Sequence, residues 1–259
     1  MTTHITAIGS GKGGTGKTLI SVSLAYALAH QGERVLLCDA DLGLANAAVH
    51  LGVGETGDLA GLLAGTRTLK DAVVRVASGP RASFDLLAAP SGSGALANAS
   101  EAQIQKLIAA LESAQGYDRV LVDLGAGVDN SVMTVAARAD ETLLVLTPDP
   151  ASLTDAYAFA KLLLRRTTTR MPQALVNMAL NATEGRRVAD ALIGSANAFL
   201  KAAPDYLGYV PFDARVPEAV RRQGPLLSLF PQSPASAAIE GIARKLHGAG
   251  TPVAAVGLR

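Results

Sequence analysis

Short apolar runs alternate with longer amphipathic stretches along the whole chain. The short runs are apolar at nearly every position, as expected for parallel strands that helices cover on both faces. They read ITAIG, RVLLCDA, FDLLAA, RVLVDLG, ETLLVLTP, QALVNMAL and YLGYVPF. Stretches that predict helices include 19–31, 101–114, 152–164, 186–201 and a last core helix in SPASAAIEGIARKL. This alternation predicts an α/β fold with a doubly wound, mainly parallel sheet and ligands bound beyond the carboxyl ends of its strands.

Composition favours one globular domain. The 259 residues are 49% hydrophobic and 17% charged, so we expect a single domain over 1–259, with a flexible tail at 248–259. The formal net charge of +1 gives no overall electrostatic attraction to nucleic acid. Met1 to His4 carry no basic leader, and no apolar run approaches the roughly 18 residues of a membrane span. We therefore expect a cytoplasmic protein.

A glycine-rich motif follows the first predicted strand and precedes the first predicted helix. Gly11, Gly16, Lys17 and Thr18 fit G-x-x-x-x-G-K-[ST], the P-loop, in the strand-to-helix context that the motif needs. Backbone amides of such a loop bind phosphate oxygens, the lysine reaches the β and γ phosphates, and the hydroxyl ligates Mg²⁺. The motif predicts ATP and Mg²⁺ as cofactors. The predicted nucleotide-binding loop comprises Gly11, Lys12, Gly13, Gly14, Thr15, Gly16, Lys17 and Thr18.

A second lysine, Lys12, precedes the P-loop lysine by five residues in SGKGGTGKT. KGGTGKT resembles the deviant Walker A motif of the ParA/MinD family of P-loop ATPases. In that family the first lysine reaches across a dimer interface to the partner's nucleotide. The resemblance implies that Lys12 and Lys17 are both catalytic and that ATP drives homodimerisation. The alternative is that Lys12 is a solvated loop residue.

Three aspartates follow predicted strands at the edge where the P-loop lies. Asp39 and Asp41 end RVLLCDAD and Asp123 ends RVLVD, which is the Walker B arrangement, so we expect Asp39 and Asp123 to hold Mg²⁺ together with Thr18. A lone aspartate at a strand end more commonly caps a helix or a turn. The family resemblance further implies that Asp41 orients the attacking water.

The resemblance also implies an adenine pocket near the end of the chain. In the family, an asparagine at a strand end and a segment after a Val-Pro or Ile-Pro step line the base. The matching residues are Asn177 in LVNMA, and Pro211 and Asp213 in YVPFD. A strand-end asparagine is otherwise an ordinary turn residue.

The longest matches are with the MinD and FlhG (FleN) branch of the family. DADLGLANAAVHLG and TPDPASLTDAYAFAKLL are similar to segments of that branch, whose FlhG members set flagellar number and placement. The resemblance implies a slow ATPase switch that positions a cellular structure, with itself and a flagellar GTPase of the FlhF type, or another activating protein, as partners. The short stretch before the first strand argues against stimulating such a GTPase through an N-terminal helix. The tail HGAGTPVAAVGLR opposes an amphipathic helix, so we expect peripheral membrane attachment to be weak or absent.

Other functions remain open at this point. A ParA-type partition ATPase would bind DNA non-specifically through a basic patch, for which the chain offers Arg165, Arg166, Arg170, Arg186, Arg187, Arg221 and Arg222. A small-molecule ligase or kinase of this fold would need a substrate pocket between the two switch loops, which the resemblance assigns to DADLG, the first switch, and DLGAG, the second. Iron–sulfur chemistry would need at least two cysteines from each subunit, and the sequence has only Cys38.

Overall fold

The protein is described here by a computed structural model. It describes residues 3–41, 46–54, 57–77, 83–89 and 99–250, with the backbone alone for 248–250. The strands within these ranges are β1 (His4–Ser10), β2 (Val35–Ala40), β3 (Val74–Ala77), β4 (Ser83–Leu87), β5 (Arg119–Ala126), β6 (Glu141–Leu146), β7 (Gln173–Ala179) and β8 (Asp205–Pro211). The described strands form one eight-stranded sheet in the order β3-β4-β2-β5-β1-β6-β7-β8. All pairs are parallel except β3 with β4.

Helices connect the strands and cover both faces of the sheet. The described helices are α1 (Lys17–His30), α2 (Ala47–Leu51), α3 (Leu59–Ala64), α4 (Leu69–Ala72), α5 (Glu101–Glu112), α6 (Asn130–Arg138), α7 (Pro150–Thr167), α8 (Ala182–Leu200), α9 (Arg215–Arg221), α10 (Leu226–Leu229) and α11 (Pro234–Gly250). One hydrophobic core joins the sheet to α3, α5, α6, α7 and α8. The other joins it to α1, α2, α9, α10 and α11. Successive strand side chains alternate between the two cores: Val120 and Val122 lie in the first and Leu121 in the second.

A buried ionic network fixes the last helix to the end of the sheet opposite the strands' carboxyl termini. The guanidinium of Arg119, at the start of β5, contacts Glu33 at 3.0 Å and Glu141 at 2.9 Å, and its side chain is only 3% exposed. The same group donates a 2.9 Å hydrogen bond to the carbonyl oxygen of Leu246 in α11. Buried charges are tolerated only when paired in this way. Arg119 therefore ties the sheet to the final helix.

The predicted α/β architecture is confirmed, with differences at the edges. Each predicted strand is present, but β3 was not predicted, because this short edge strand reads VRVA and pairs antiparallel. The final helix runs to Gly250 and so includes the first three residues of the expected tail; residues 251–259 lie outside the described part. None of the helices in the described ranges is both long enough and apolar enough to cross a membrane.

Candidate active site

The glycine-rich loop connects β1 directly to α1. Gly16 is the N-cap residue of α1, with φ 85° and ψ 22°, a left-handed conformation that glycine adopts without strain. The Ser10 hydroxyl donates to the Lys12 carbonyl oxygen at 2.6 Å, and the Gly127 amide donates to the Ser10 carbonyl oxygen at 2.9 Å. The loop thus lies at a helix N-terminus, where free amides and the helix dipole favour phosphate.

The two lysines of the loop have different surroundings. Lys17 is buried in the first turn of α1, and this burial lowers its pKa, while the charges of Asp123 and Asp41 act to raise it. Lys12 has a side chain that is 40% exposed and forms an ion pair with Asp149, the N-cap residue of α7. Its hydrogen bond is the largest of the effects that lower the pKa of Asp149. Sequence reasoning missed Asp149, although the Asp-Pro step in TPDP is a typical helix start.

Asp39 and Asp123 are direct neighbours across the β2–β5 pair. Both are 1% exposed. Asp39 accepts hydrogen bonds from the amides of Asn46 at 2.8 Å, Ala47 at 2.9 Å and Asp41 at 3.1 Å. Asp123 accepts one from the Ser21 hydroxyl at 2.9 Å. The prediction did not include Ser21, which lies four residues after Lys17 on the same face of α1.

The surroundings of these two carboxyl groups disfavour their charged forms. Burial raises the pKa of both, and the charge of Asp39 further raises the pKa of Asp123, while hydrogen bonds from Thr18 and Ser21 and the charge of Lys17 lower it. Among the described residues, Oδ2 of Asp123 has no hydrogen-bond partner. An unpartnered buried carboxylate oxygen is costly. Mg²⁺ binds through one or two carboxylates together with phosphate oxygens, so these residues fit that ion.

Asp41 lies close to the carboxyl end of β5. A Cβ atom built on Gly125, the second-last residue of that strand, would lie 3.7 Å from Oδ1 of Asp41, so the carboxylate faces this end of the strand. Both residues line a cavity of about 230 Å³ that Ala126 and Asp129 also border. Of the predicted first switch, residues 42–45 lie outside the described part.

The three predicted adenine-pocket residues differ in what they contact. Asn177 is buried at the end of β7 and donates from Nδ2 to the Thr15 carbonyl oxygen at 2.8 Å, which ties the strand to the P-loop. Pro211 ends β8 and is paired with Ala179. Asp213 accepts from the amides of Arg215 at 2.8 Å and Ala235 at 3.1 Å. Both oxygens of Asp213 thus bind helix amides, the capping function that aspartate commonly has.

Most of the arginines considered for a DNA-binding patch contact their own chain. Arg166 donates to Asn130 and Thr134, Arg170 donates to backbone carbonyls at the end of α6, and Arg186 pairs with Asp190. Arg187 and Arg222 each have a glutamate within 3.8 Å. Because Arg166 and Arg170 bind neutral oxygen atoms and the other pairs are exposed to solvent, these contacts orient the side chains but remove little of their positive charge.

The site geometry defines a class of protein. A glycine-rich loop at a helix N-terminus, with a buried lysine and paired carboxylates on adjacent strands, is the arrangement of a P-loop nucleotide-binding protein. Residues 1–247 match the family model for ParA, described as NUBPL iron-transfer P-loop NTPase. The chain belongs to the ParA/MinD family of P-loop ATPases. Its cofactors are ATP and Mg²⁺.

Three similar proteins illustrate the relationship. Antiactivator FleN of Pseudomonas aeruginosa is 39% identical over 94% of this chain and 86% of that protein. Flagellum site-determining protein YlxH of Helicobacter pylori is 31% identical over 93% of this chain and 81% of that protein. The structure of septum site-determining protein MinD from Pyrococcus horikoshii, complexed with Mg-ADP, has a TM-score of 0.77 and 26% identity, covering 97% of this chain and 100% of that one. The predicted family and its MinD/FleN branch are thereby confirmed.

Proposed function

We propose that this ATPase is a dimerisation switch that regulates the number or position of flagella. The similarity that carries the proposal is the 39% identity to FleN over 94% of the chain, and YlxH is also a flagellar protein by name. The description of the matching family model names iron transfer as a function. That function does not extend to this chain, because Cys38, the only cysteine in the sequence, is fully buried in β2, where burial raises its pKa.

The proposed residue roles follow from the surroundings of each side chain. Lys17 and the loop amides bind the β and γ phosphates, since they lie at a helix N-terminus, which favours anions. Thr18, Asp39 and Asp123 hold Mg²⁺, which would neutralise phosphate charge when bound. Asp41, facing Gly125, orients the attacking water. Asn177 positions the P-loop and lines the adenine site with Pro211.

Lys12 has a separate role in this proposal. Its side chain is directed toward α7 and solvent, whereas Lys17 is directed toward the buried carboxylates. Lys12 is therefore available to a second subunit. In the dimer it binds the phosphates of the partner's nucleotide, so that association depends on the γ-phosphate.

Two substitutions should shift dimerisation in opposite directions. Lys12→Ala should bind ATP as a monomer, because Lys17, Thr18 and the loop amides remain, but it should not dimerise. Asp41→Ala should bind ATP and accumulate as a dimer, because slow hydrolysis would no longer dissolve it. Light scattering with ATP and Mg²⁺, alongside phosphate release, measures both effects. Lys70→Ala, an exposed lysine of α4, is the control and should behave as wild type.

The same variants test the cellular role. Cells of the source organism that lack the gene should show an altered number or position of flagella by electron microscopy. Wild-type protein should restore the normal pattern and Lys12→Ala should not. A Lys12→Ala protein that dimerises like wild type would refute the role of this lysine. Normal flagella without the gene would refute the flagellar assignment and leave the ATPase intact.

A further inference from the structure

The carboxylate that pairs with Lys12 has two distinct contacts. Oδ1 of Asp149 accepts a 3.0 Å hydrogen bond from the Ala151 amide and so caps α7. Oδ2 of the same group holds the Lys12 ammonium. Pro150 occupies the first turn and fixes the helix start. A single side chain therefore joins the P-loop to the beginning of α7.

The P-loop is also packed tightly against α7. A Cβ atom on Gly11 would lie 2.1 Å from the carbonyl oxygen of Asp155, and one on Gly9 would lie 2.7 Å from Cζ of Phe159. Contacts this close are possible only because both positions are glycine. The start of α7 and the loop thus form one packed unit, in which Lys12 lies against its own subunit.

We propose that Asp149 is a positioning residue that holds Lys12 within its own subunit until a partner's nucleotide competes for it. This inference rests on the proposed function, in which Lys12 crosses the dimer interface. Phosphate groups carry more negative charge than one carboxylate, so a bound triphosphate is the stronger partner once it is close. Dimerisation then requires two such pairs to open, one in each subunit. Asp149 sets the threshold for assembly and leaves nucleotide binding by the monomer unchanged.

The expected size of the effect follows from solvent exposure. The Lys12 and Asp149 side chains are 40% and 45% exposed, and exposed pairs of this kind change an equilibrium by only a few-fold. Because two Lys12–Asp149 pairs open per dimer, a variant that lacks this pair should have a dimer dissociation constant roughly threefold to tenfold lower than that of wild type. The difference should shrink at high salt, since exposed charges are screened.

The test uses Asp149→Asn, which removes the charge but keeps a good N-cap residue. Asp149→Ser, which also caps helices, is a second variant in case the first folds poorly. Asp190→Asn is the control, because Asp190 forms an exposed pair with Arg186 on α8 and carries the same charge. Dimer dissociation constants are measured by sedimentation with ATP and Mg²⁺ at low and high salt. ATP affinity of the monomer is measured by titration with a fluorescent analogue at low protein concentration.

Tighter dimerisation of the Asp149 variants, with unchanged monomer affinity and no effect of the control, supports the inference. If wild type dimerises with ATP but the Asp149 variants dimerise equally well or more weakly, this inference is overturned and the proposed function stands. A wild-type protein that remains monomeric with ATP, at every concentration tested, overturns the proposed function and this inference together. If Asp190→Asn tightens dimerisation to the same extent, the effect comes from net charge and the inference is also overturned.

Discussion

Gly11→Ala should disrupt the active site, because this glycine is in contact with the backbone of α7. The added Cβ would lie 2.1 Å from the carbonyl oxygen of Asp155 and 2.3 Å from its carbon, whereas ordinary contacts begin near 3.4 Å. The loop or the helix must therefore move by about an ångström, and no rotamer change relieves a clash between backbones. Overpacking typically costs 1–3 kcal/mol, and we expect a loss of about 3 kcal/mol in the free energy of unfolding. A displaced loop should also lower ATP turnover by about 100-fold.

Gly13→Ala is the matched control within the same loop. Among the residues that the structure describes, its Cβ would have only Ala126 nearby, at 3.9 Å, so the free energy of unfolding should change by less than about 1 kcal/mol. Urea unfolding followed by circular dichroism gives both stabilities, and phosphate release gives turnover. A Gly11→Ala protein with wild-type stability and turnover would refute the reasoning, because it would mean that the loop and α7 are not in tight contact.

The remaining predictions concern buried charge. Lys17→Ala should abolish ATP binding, because the γ-phosphate would lose its principal cation; titration with a fluorescent ATP analogue measures this. Arg119→Met should lower the free energy of unfolding by about 3 kcal/mol, because two buried glutamates lose the guanidinium and keep only a histidine each, His247 on Glu33 and His4 on Glu141, as a charged partner; urea unfolding measures it. Without nucleotide and with EDTA, Asp39 and Asp123 should contribute stability that is lost as pH rises from about 4 toward neutrality, because their raised pKa values mean that these two groups bind more protons in the folded state than in the unfolded one. The lowered pKa values of His50 and Glu141 act in the opposite direction, so the contribution is measured as the difference between wild type and Asp123→Asn. Asp123→Asn should flatten this dependence in thermal unfolding.

Each of these has a control and a contrary outcome. Lys70→Ala should bind ATP normally, and undiminished affinity in the Lys17 variant would remove the P-loop role. Arg138→Met breaks an exposed pair with Glu112 and should cost no more than about 1 kcal/mol. If both arginine variants lost equal stability, the Arg119 network would be no more important than a surface pair. The same dependence of stability on pH in wild type and Asp123→Asn would contradict the assignment of a raised carboxyl pKa.

The sheet could be predicted because its strands are buried on both faces. RVLLCDA and RVLVDLG are apolar at successive positions, a pattern that solvent-exposed segments do not have. The edge strand β3 lacks that signal, because β4 is its only neighbour among the described strands. The start of α8 was predicted at 186 but lies at Ala182, where Asn181 caps the helix by accepting from the Glu184 amide. The first turn of a helix with polar capping residues is difficult to recognise from apolar spacing alone.

The candidate site could be predicted only where its residues lie together in sequence. The P-loop is contiguous, and Asp39 and Asp123 end strands that the pattern already identified. Lys12 and Asp149 are 137 positions apart, and neither has an apolar pattern that would indicate their contact. Both oxygens of Asp213 accept hydrogen bonds from helix amides, contacts that the sequence pattern did not indicate, and its place in the adenine pocket stays a prediction.

The position of β1 in the sheet determines when the active site can form during synthesis. β1 carries the P-loop and is made first, but it lies between β5 and β6, whose residues pair with it from Arg119 onward. At about 5–20 residues per second, ribosomes need roughly ten seconds to supply those strands, and α11, which packs on α1, emerges last. During that interval the apolar strand and helix beside the loop are exposed to chaperones or to aggregation. ATP can stabilise the chain only after this interval, because the strands that orient its phosphate loop are not yet present.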